Sequence, residues 1–104
     1  MGFRIKFTNQ AALDLSKIVE YIRDELYSPK AAEHFYHNVD KKLKKIRENP
    51  LMYPLSQDEL LRAKGYHTVV IGNYLLFYLI NEDTNIIYIS RIIYSKRDLT
   101  AIHI

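Results

Sequence analysis

Residues 66–94 read YHTVVIGNYLLFYLINEDTNIIYISRIIY, and this stretch decides the fold. β-Branched and aromatic residues dominate three runs, Tyr66 to Ile71, Tyr74 to Ile80 and Ile86 to Tyr94. Between the first two stands Gly72-Asn73, which supplies the positive φ that a two-residue hairpin demands; the polar break Asn81 to Asn85 suits a longer one. Three strands in an antiparallel meander follow. The middle strand is apolar on both faces, with Leu75, Phe77 and Leu79 on one and Tyr74, Leu76, Tyr78 and Ile80 on the other. A surface sheet has no need of that, so one face is expected to carry helices, while the tyrosine-bearing face stays partly open or is covered by something else.

The preceding residues provide the helices. Phe3, Ile5 and Phe7 alternate with Arg4, Lys6 and Thr8, a period of two that predicts a first strand. Thr8 or Asn9 can cap a helix in which Ala11, Leu15, Ile18, Ile22 and Leu26 form a stripe widened by Ala12 and Val19. Tyr27-Ser28-Pro29 ends it: the residue before a proline avoids helical geometry, while Ser28 can cap a second helix with Pro29 at its first position. Ala32, Phe35, Val39, Leu43 and Ile46 keep helical spacing to about Glu48, where Asn49-Pro50 stops it. So short a connection predicts an antiparallel helix hairpin. Leu51 to Gln57 reads as an ordered, irregular linker whose apolar pair, Leu51 and Met52, packs over the core. The fold class is α+β: a strand, a two-helix hairpin and a meander, with the helices on one face of the sheet and residues 1–104 forming a single domain.

Composition narrows the chemistry. Hydrophobic residues make up 48% of the chain and charged residues 26%, which excludes the signature of disorder. The absence of cysteine excludes disulfide scaffolds, thiolate zinc sites and cysteine nucleophiles. Tyr74 to Ile80, seven residues, is the longest apolar run, far below the roughly 20 that span a bilayer. With no signal-like segment at Met1-Gly2-Phe3-Arg4 either, a cytoplasmic location without membrane contact is expected. No glycine-rich phosphate loop or nucleophile elbow is present, which removes kinase, dehydrogenase and α/β-hydrolase readings. The net charge of +3 is concentrated in residues 1–50, with ten Lys/Arg against seven Asp/Glu.

Two constellations could carry chemistry. On the second helix Lys30, His34, His37, Lys41 and Lys44 recur on one outward face, broadened by Lys42 and Lys45, and suit either plain solvation or contact with phosphates. His34 and His37 lack a third ligand at matching spacing, so no metal and no cofactor are expected. Toward the C-terminus, Arg91 would share a strand face with Ile87, Ile89 and Ile93, a costly place for a guanidinium unless a carboxylate or a ligand phosphate meets it. Lys96 and Arg97 follow the strand end, where side chains escape the core. His103 titrates near neutrality and could act as acid or base if the tail folds back; equally, Arg97 and Asp98 could merely cap the sheet edge.

Taken in order, the Ala12–Asp14 region, Tyr21-Ile22, Ser28-Pro29 with Ala31, Ala32 and Phe35, Asn49-Pro50, Gly72-Asn73-Tyr74-Leu75-Leu76-Phe77-Tyr78 and Arg91-Ile92-Ile93-Tyr94-Ser95-Lys96-Arg97-Asp98 resemble the RelE/ParE superfamily of type II toxin–antitoxin toxins. The resemblance covers nearly the whole chain. It implies a growth inhibitor held in check by a cognate antitoxin. Of its branches, the reading leans to the one that cuts messenger RNA on the ribosome without a metal; the alternative is the branch that inhibits DNA gyrase by binding. A non-toxic protein- or nucleic-acid-binding module is a second alternative. For endoribonuclease chemistry, the resemblance matches Arg97 to the nuclease branch's C-terminal arginine and puts His103 where that branch often has a tyrosine or histidine. His67 is the other proton-transfer candidate, and Arg62, Lys64, Arg91, Lys96, Lys41, Lys44 and Lys45 are the expected target-binding cations. Leu75 departs from the nuclease pattern, which often has arginine there, and the long hairpin with Ser28-Pro29 resembles ParE-like chains.

Overall fold

A computed structural model describes residues 2–97, Leu99 and Ile104. The meander forms as its turn chemistry predicts: β2 (His67–Ile71), β3 (Tyr74–Asn81) and β4 (Ile86–Tyr94) pair antiparallel in sequence order. Gly72 turns the first hairpin with φ of 57° and Asn85 closes the second with φ of 56°, the left-handed conformations that glycine and asparagine tolerate best. The first strand, β1 (Arg4–Phe7), does not extend the meander at its near edge. It lies parallel to β4, Arg4 opposite Ile86 and Phe7 opposite Ile89, giving the order β1-β4-β3-β2. β4 is thereby an interior strand, which explains its nearly unbroken apolar run.

Each helix starts at its expected cap. Thr8 Oγ1 accepts from the Ala11 N–H at 3.1 Å to begin α1 (Asn9–Glu20), and Ser28 Oγ accepts from Ala31 N–H at 3.2 Å to begin α2 (Pro29–Glu48). Between them the chain widens into one π-type turn, Tyr21–Glu25, and Tyr27 takes φ of 51°. Ala11, Ile18, Phe35, Val39 and Ile46 pack against Val69, Ile71, Leu76, Tyr78, Ile87, Ile89 and Ile92. Each large side chain so buried contributes about 1.5–3 kcal/mol, which is what holds the hairpin on the sheet.

The covered face is the opposite of the expected one. Tyr74, Leu76, Tyr78 and Ile80 point to the helices, and Tyr78 is fully buried there, its hydroxyl donating to the Pro50 carbonyl at 2.6 Å. Burial pushes its phenol up to about 12. A tyrosine can enter a core when a backbone acceptor waits at its far end, and this acceptor lies 28 residues away in sequence, beyond the reach of any local pattern.

Leu75, Phe77 and Leu79 instead face a second, smaller cluster with Leu61, Tyr66, Ile93, Leu99 and Ile104. Leu61 belongs to a short helix, α3 (Glu59–Ala63), which the sequence reading did not anticipate; Asp58 caps it by accepting from Leu61 N–H at 3.0 Å. The linker is ordered as expected, but not through Leu51 and Met52, which are 70% and 51% exposed. Backbone bonds hold it: Ser56 N–H donates to Tyr66 C=O at 2.8 Å and Thr68 N–H to Pro54 C=O at 3.0 Å, with Tyr53 supplying the apolar contact.

Tyr78→Phe should cost about 1–3 kcal/mol, because the Pro50 carbonyl loses its donor. Urea denaturation checks this: the midpoint should fall with an unchanged m-value, and a loss below about 0.5 kcal/mol would show the bond contributes nothing.

Candidate functional site

The polar centre of the molecule arises where β1 stops. Phe7 is its last residue, and Thr8 N–H still reaches Ile89 C=O at 3.0 Å; beyond that, among the described residues, the β4 edge has no strand beside it. α1 turns back along this edge and Asp14 takes the place of a strand. Its Oδ2 accepts from Ile92 N–H at 3.0 Å and from Arg91 Nε at 2.7 Å, while Oδ1 accepts from Arg91 Nη2 at 3.2 Å and Gln10 Nε2 at 3.1 Å. Thr8 Oγ1, besides capping α1, donates to Ser90 C=O at 3.1 Å. A bulge accompanies this, since Tyr78 faces Ile89 while Phe77 faces Arg91, leaving Ser90 as the extra residue. The bulge reverses the alternation, so Ile87, Ile89 and Ile93 do not share one face as expected: Arg91, in register with Phe77, stands on the Ile93 side and away from Ile87 and Ile89. Ile87 and Ile89 join the helix-side cluster and Ile93 the opposite one.

Burial alone raises the Asp14 carboxyl, but hydrogen bonds from Arg91, Ile92 and Gln10, together with the Arg91 charge, outweigh it and hold the group below the usual carboxylate range. Arg91 therefore has the carboxylate its position required. Both partners are buried, and the pair serves the fold.

His67 and Arg97 are not brought together. His67 is buried on the helix side, its ring stacked on Tyr78 at 5.0 Å and its Nδ1 2.7 Å from the Tyr53 carbonyl, which fixes the proton on Nδ1. It pairs with Tyr78, whereas Arg97 follows Tyr94, which is in register with Tyr74. Four residues of β3 separate those rows, about 13 Å along the strand direction. His103, like Asp98, lies outside the described residues.

The cations divide into two groups. Arg62 and Lys64 sit exposed at the end of α3, Arg62 Nη1 donating to Gln57 C=O at 3.2 Å. The others lie toward the Gly72–Asn73 turn. Ser95 N–H donates to Asn73 C=O at 2.8 Å, which brings the turn bearing exposed Lys96 and Arg97 against that hairpin. On its other side a cleft of about 390 Å³ is lined by Asn38, Lys41, Lys42, Lys45, Val70, Ile71 and Gly72. Lys41, Lys44 and Lys45 are exposed on α2, Lys44 pairing with Asp40 at 3.4 Å. One end of the molecule is thus strongly basic. The α1–α2 hairpin also bears a groove of about 550 Å³, lined by Leu15, Val19, Tyr36, Val39 and Leu43 and rimmed by Glu20, Arg23 and Asp40. The sequence holds a faint signal of it in Val19 and in Tyr36, which is apolar outside the α2 stripe. Among the described residues no helix is long and apolar enough to cross a membrane.

Comparison with known proteins places this geometry. The family model described as ParE toxin of type II toxin–antitoxin system, parDE, matches residues 5–99. No curated protein sequence matches. Among solved structures, the chromosomal ParDE toxin–antitoxin system of P. aeruginosa is similar with a TM-score of 0.71 at 19% identity, covering 90% of this chain and 97% of that one. A RelE–RelB complex from Pyrococcus horikoshii OT3 gives 0.61 at 16% identity over 94% and 100% of the two chains. The RelBE2 toxin–antitoxin complex from Mycobacterium tuberculosis gives 0.53 at 19% identity over 90% and 99%. At these identities the likeness is one of fold.

Asp14→Ala should destabilise the protein by about 3–5 kcal/mol, since it strands Arg91 and the Ile92 N–H in the interior. The Asp14 carboxyl is lower in the folded than in the unfolded chain, where it stands near 3.9. Its contribution is therefore complete above about pH 4 and is lost as pH falls through the folded value. Urea midpoints measured against pH should show this acid limb, flatter in Asp14→Asn; an Asp14→Ala loss under about 1 kcal/mol would contradict the assignment.

Proposed function

This chain belongs to the ParE toxin family of type II toxin–antitoxin systems, and from that premise we propose that it halts growth by binding DNA gyrase rather than by cutting RNA. The observation that carries this choice is the environment of Leu75. RNA cleavage needs a group to take the 2′-hydroxyl proton, a cation for the charged phosphorane and an acid for the leaving 5′-oxygen. Leu75, where nuclease relatives often have arginine, packs with Phe77 and Ile93 in an apolar cluster, and β2 offers Thr68 and Val70 to the same face. His67 lies on the other face, held by Tyr53 and Tyr78. A binding toxin requires none of these groups. It requires a surface, and the basic end formed by Lys41, Lys45, Lys96 and Arg97 is the one we assign to target contact, with Arg62 and Lys64 apart from it at the end of α3. Arg91 acts from within, through Asp14.

A cognate antitoxin is the second partner of this reading. The groove between α1 and α2 has the apolar lining to receive the face of an amphipathic helix. Ribosome-dependent cleavage remains the competing reading, with Arg97 as its cation and His103 as its acid.

Purified protein should inhibit DNA supercoiling by gyrase, while primer extension on transcripts from induced cells shows no A-site cuts. A-site cuts with supercoiling unaffected would reverse the conclusion. Arg97→Ala should weaken inhibition roughly tenfold, the equivalent of one lost charged contact, at an unchanged melting temperature. Undiminished inhibition would remove Arg97 from the contact surface.

A further inference from the structure

The connection between α1 and α2 ends in a residue that is both strained and exposed. Tyr27 takes the left-handed conformation, φ of 51°, where the chain leaves the helix, a place usually given to glycine and one where a bulky side chain is an outlier. Two backbone bonds fix it there: Leu26 N–H donates to Tyr21 C=O at 3.1 Å and Ser28 N–H to Ile22 C=O at 3.2 Å. The ring does not offset the strain by packing. It is 88% exposed and belongs to neither apolar cluster, and Leu26 beside it is 55% exposed. Asparagine would hold the same turn with less strain and less apolar surface in water. Strain fixed in place at an exposed ring points to a role outside the fold.

This tip is continuous with the basic end of the molecule. Tyr21 opens the π-type turn, one helical turn beyond Ile18 on the α1 face whose Asp14 meets β4. Burial raises the Tyr74 phenol, and the neighbouring Tyr21 and Tyr94 phenols raise it further. Tyr74 and Tyr94 meet edge to face at 5.9 Å, and Arg97 N–H donates to Tyr94 C=O at 3.0 Å. Exposed Tyr27, Leu26, Tyr21, Tyr94 and Arg97 therefore lie along one band. Its two ends differ in charge. Lys96 and Arg97 stand at one; at the other, exposed Glu20 and Glu25 have no cation within ion-pairing distance among the described residues, while Arg23 takes Asp24 at 2.9 Å.

We propose that the α1–α2 tip is the apolar anchor of the target contact: the Tyr27 ring, backed by Leu26, enters a pocket on the target protein while Lys96 and Arg97 engage carboxylates beside it. Exposed tyrosines in line with an arginine have the composition of a protein interface hot spot. A nucleic acid or an anionic lipid surface would meet the Glu20 and Glu25 carboxylates around Tyr27, which repel it. A protein pocket with a cationic lip accepts both the ring and the carboxylates. The proposal rests on the gyrase reading only for the identity of that protein.

Purified DNA gyrase holoenzyme is the probe, and growth arrest on induction is a second readout that holds whatever the target. Tyr27→Asn removes the ring while keeping a residue that tolerates the left-handed conformation. It should weaken gyrase binding about tenfold or more and blunt growth arrest, at a melting temperature no lower than that of the wild type. Tyr27→Phe, which keeps the ring, should bind within about threefold of the wild type. Full-strength arrest by Tyr27→Asn overturns the proposal, whether or not that variant escapes its antitoxin. So does a melting temperature that falls together with affinity, which would make Tyr27 a residue of the fold. A wild-type dimer that Tyr27→Asn turns into a monomer would assign the tip to a second copy, and a loss of affinity for a short DNA duplex would assign it to nucleic acid; either result overturns the proposal. Arrest by the wild type without gyrase binding removes the gyrase reading and leaves the tip to be judged by arrest alone. Gyrase binding retained in Tyr27→Asn removes the tip and leaves the gyrase reading, and a wild type that neither binds gyrase nor arrests growth removes both.

Discussion

The carboxylate of Asp14 closes the sheet where its first strand runs out, and the rest of the structure is arranged around that closure. A β4 edge without a neighbour would bury an unpaired Ile92 N–H, and Asp14 supplies the missing acceptor from a helix. Having done so it must itself be neutralised, and Arg91 does this from the adjacent position on the same strand. A buried ion pair can often be replaced by apolar residues without loss of stability. This one cannot be exchanged so simply, because removing both side chains would still leave the Ile92 amide without a partner. The interaction also links distant parts of the chain, Gln10 and Asp14 near its start and Arg91 and Ile92 near its end, and so docks α1 on β4 in a single register.

A sheet packed on both faces has consequences for function. The helix side is filled by aliphatic residues and Tyr78, and the other side by Phe77, Ile93, Leu61 and their neighbours. Ionisable groups that could act on a ligand are displaced to the rims: α3 at one place, the Gly72–Asn73 end at another. The rim with the greater charge is also the one where, among the described residues, the segment that pairs with the start of β2 has turned away. A molecule built in this way is better suited to seizing a partner than to enclosing a small substrate.

Much of the architecture was legible in the residues. Thr8, Ser28-Pro29, Asn49-Pro50 and Gly72-Asn73 mark element ends by local stereochemistry, and the structure places caps and turns there. The candidate site was less so. Lys41, Lys45, Lys96 and Arg97 were each visible as exposed cations, but the hydrogen bond from Ser95 to Asn73 is what brings the last two to the same turn that borders the lysine cleft. His67 reads as a titratable residue on a strand, and only the Tyr53 carbonyl and the Tyr78 ring show it to be a core histidine.

By itself, the sequence determined the kinds and boundaries of most elements, because capping, proline restriction and hydrophobic period act within a few residues. It also determined that Arg91 needed a counter-charge, since the cost of burying a guanidinium does not depend on where relief comes from. Which group gives that relief, which face of the meander meets the helices and where β1 lies were decided only by tertiary structure. Each depends on contacts between residues tens of positions apart: Asp14 with Arg91, Tyr78 with Pro50, Phe7 with Ile89. Alternation along a strand separates two faces but does not say which is inside when both are apolar, and one bulged residue at Ser90 is enough to reverse it.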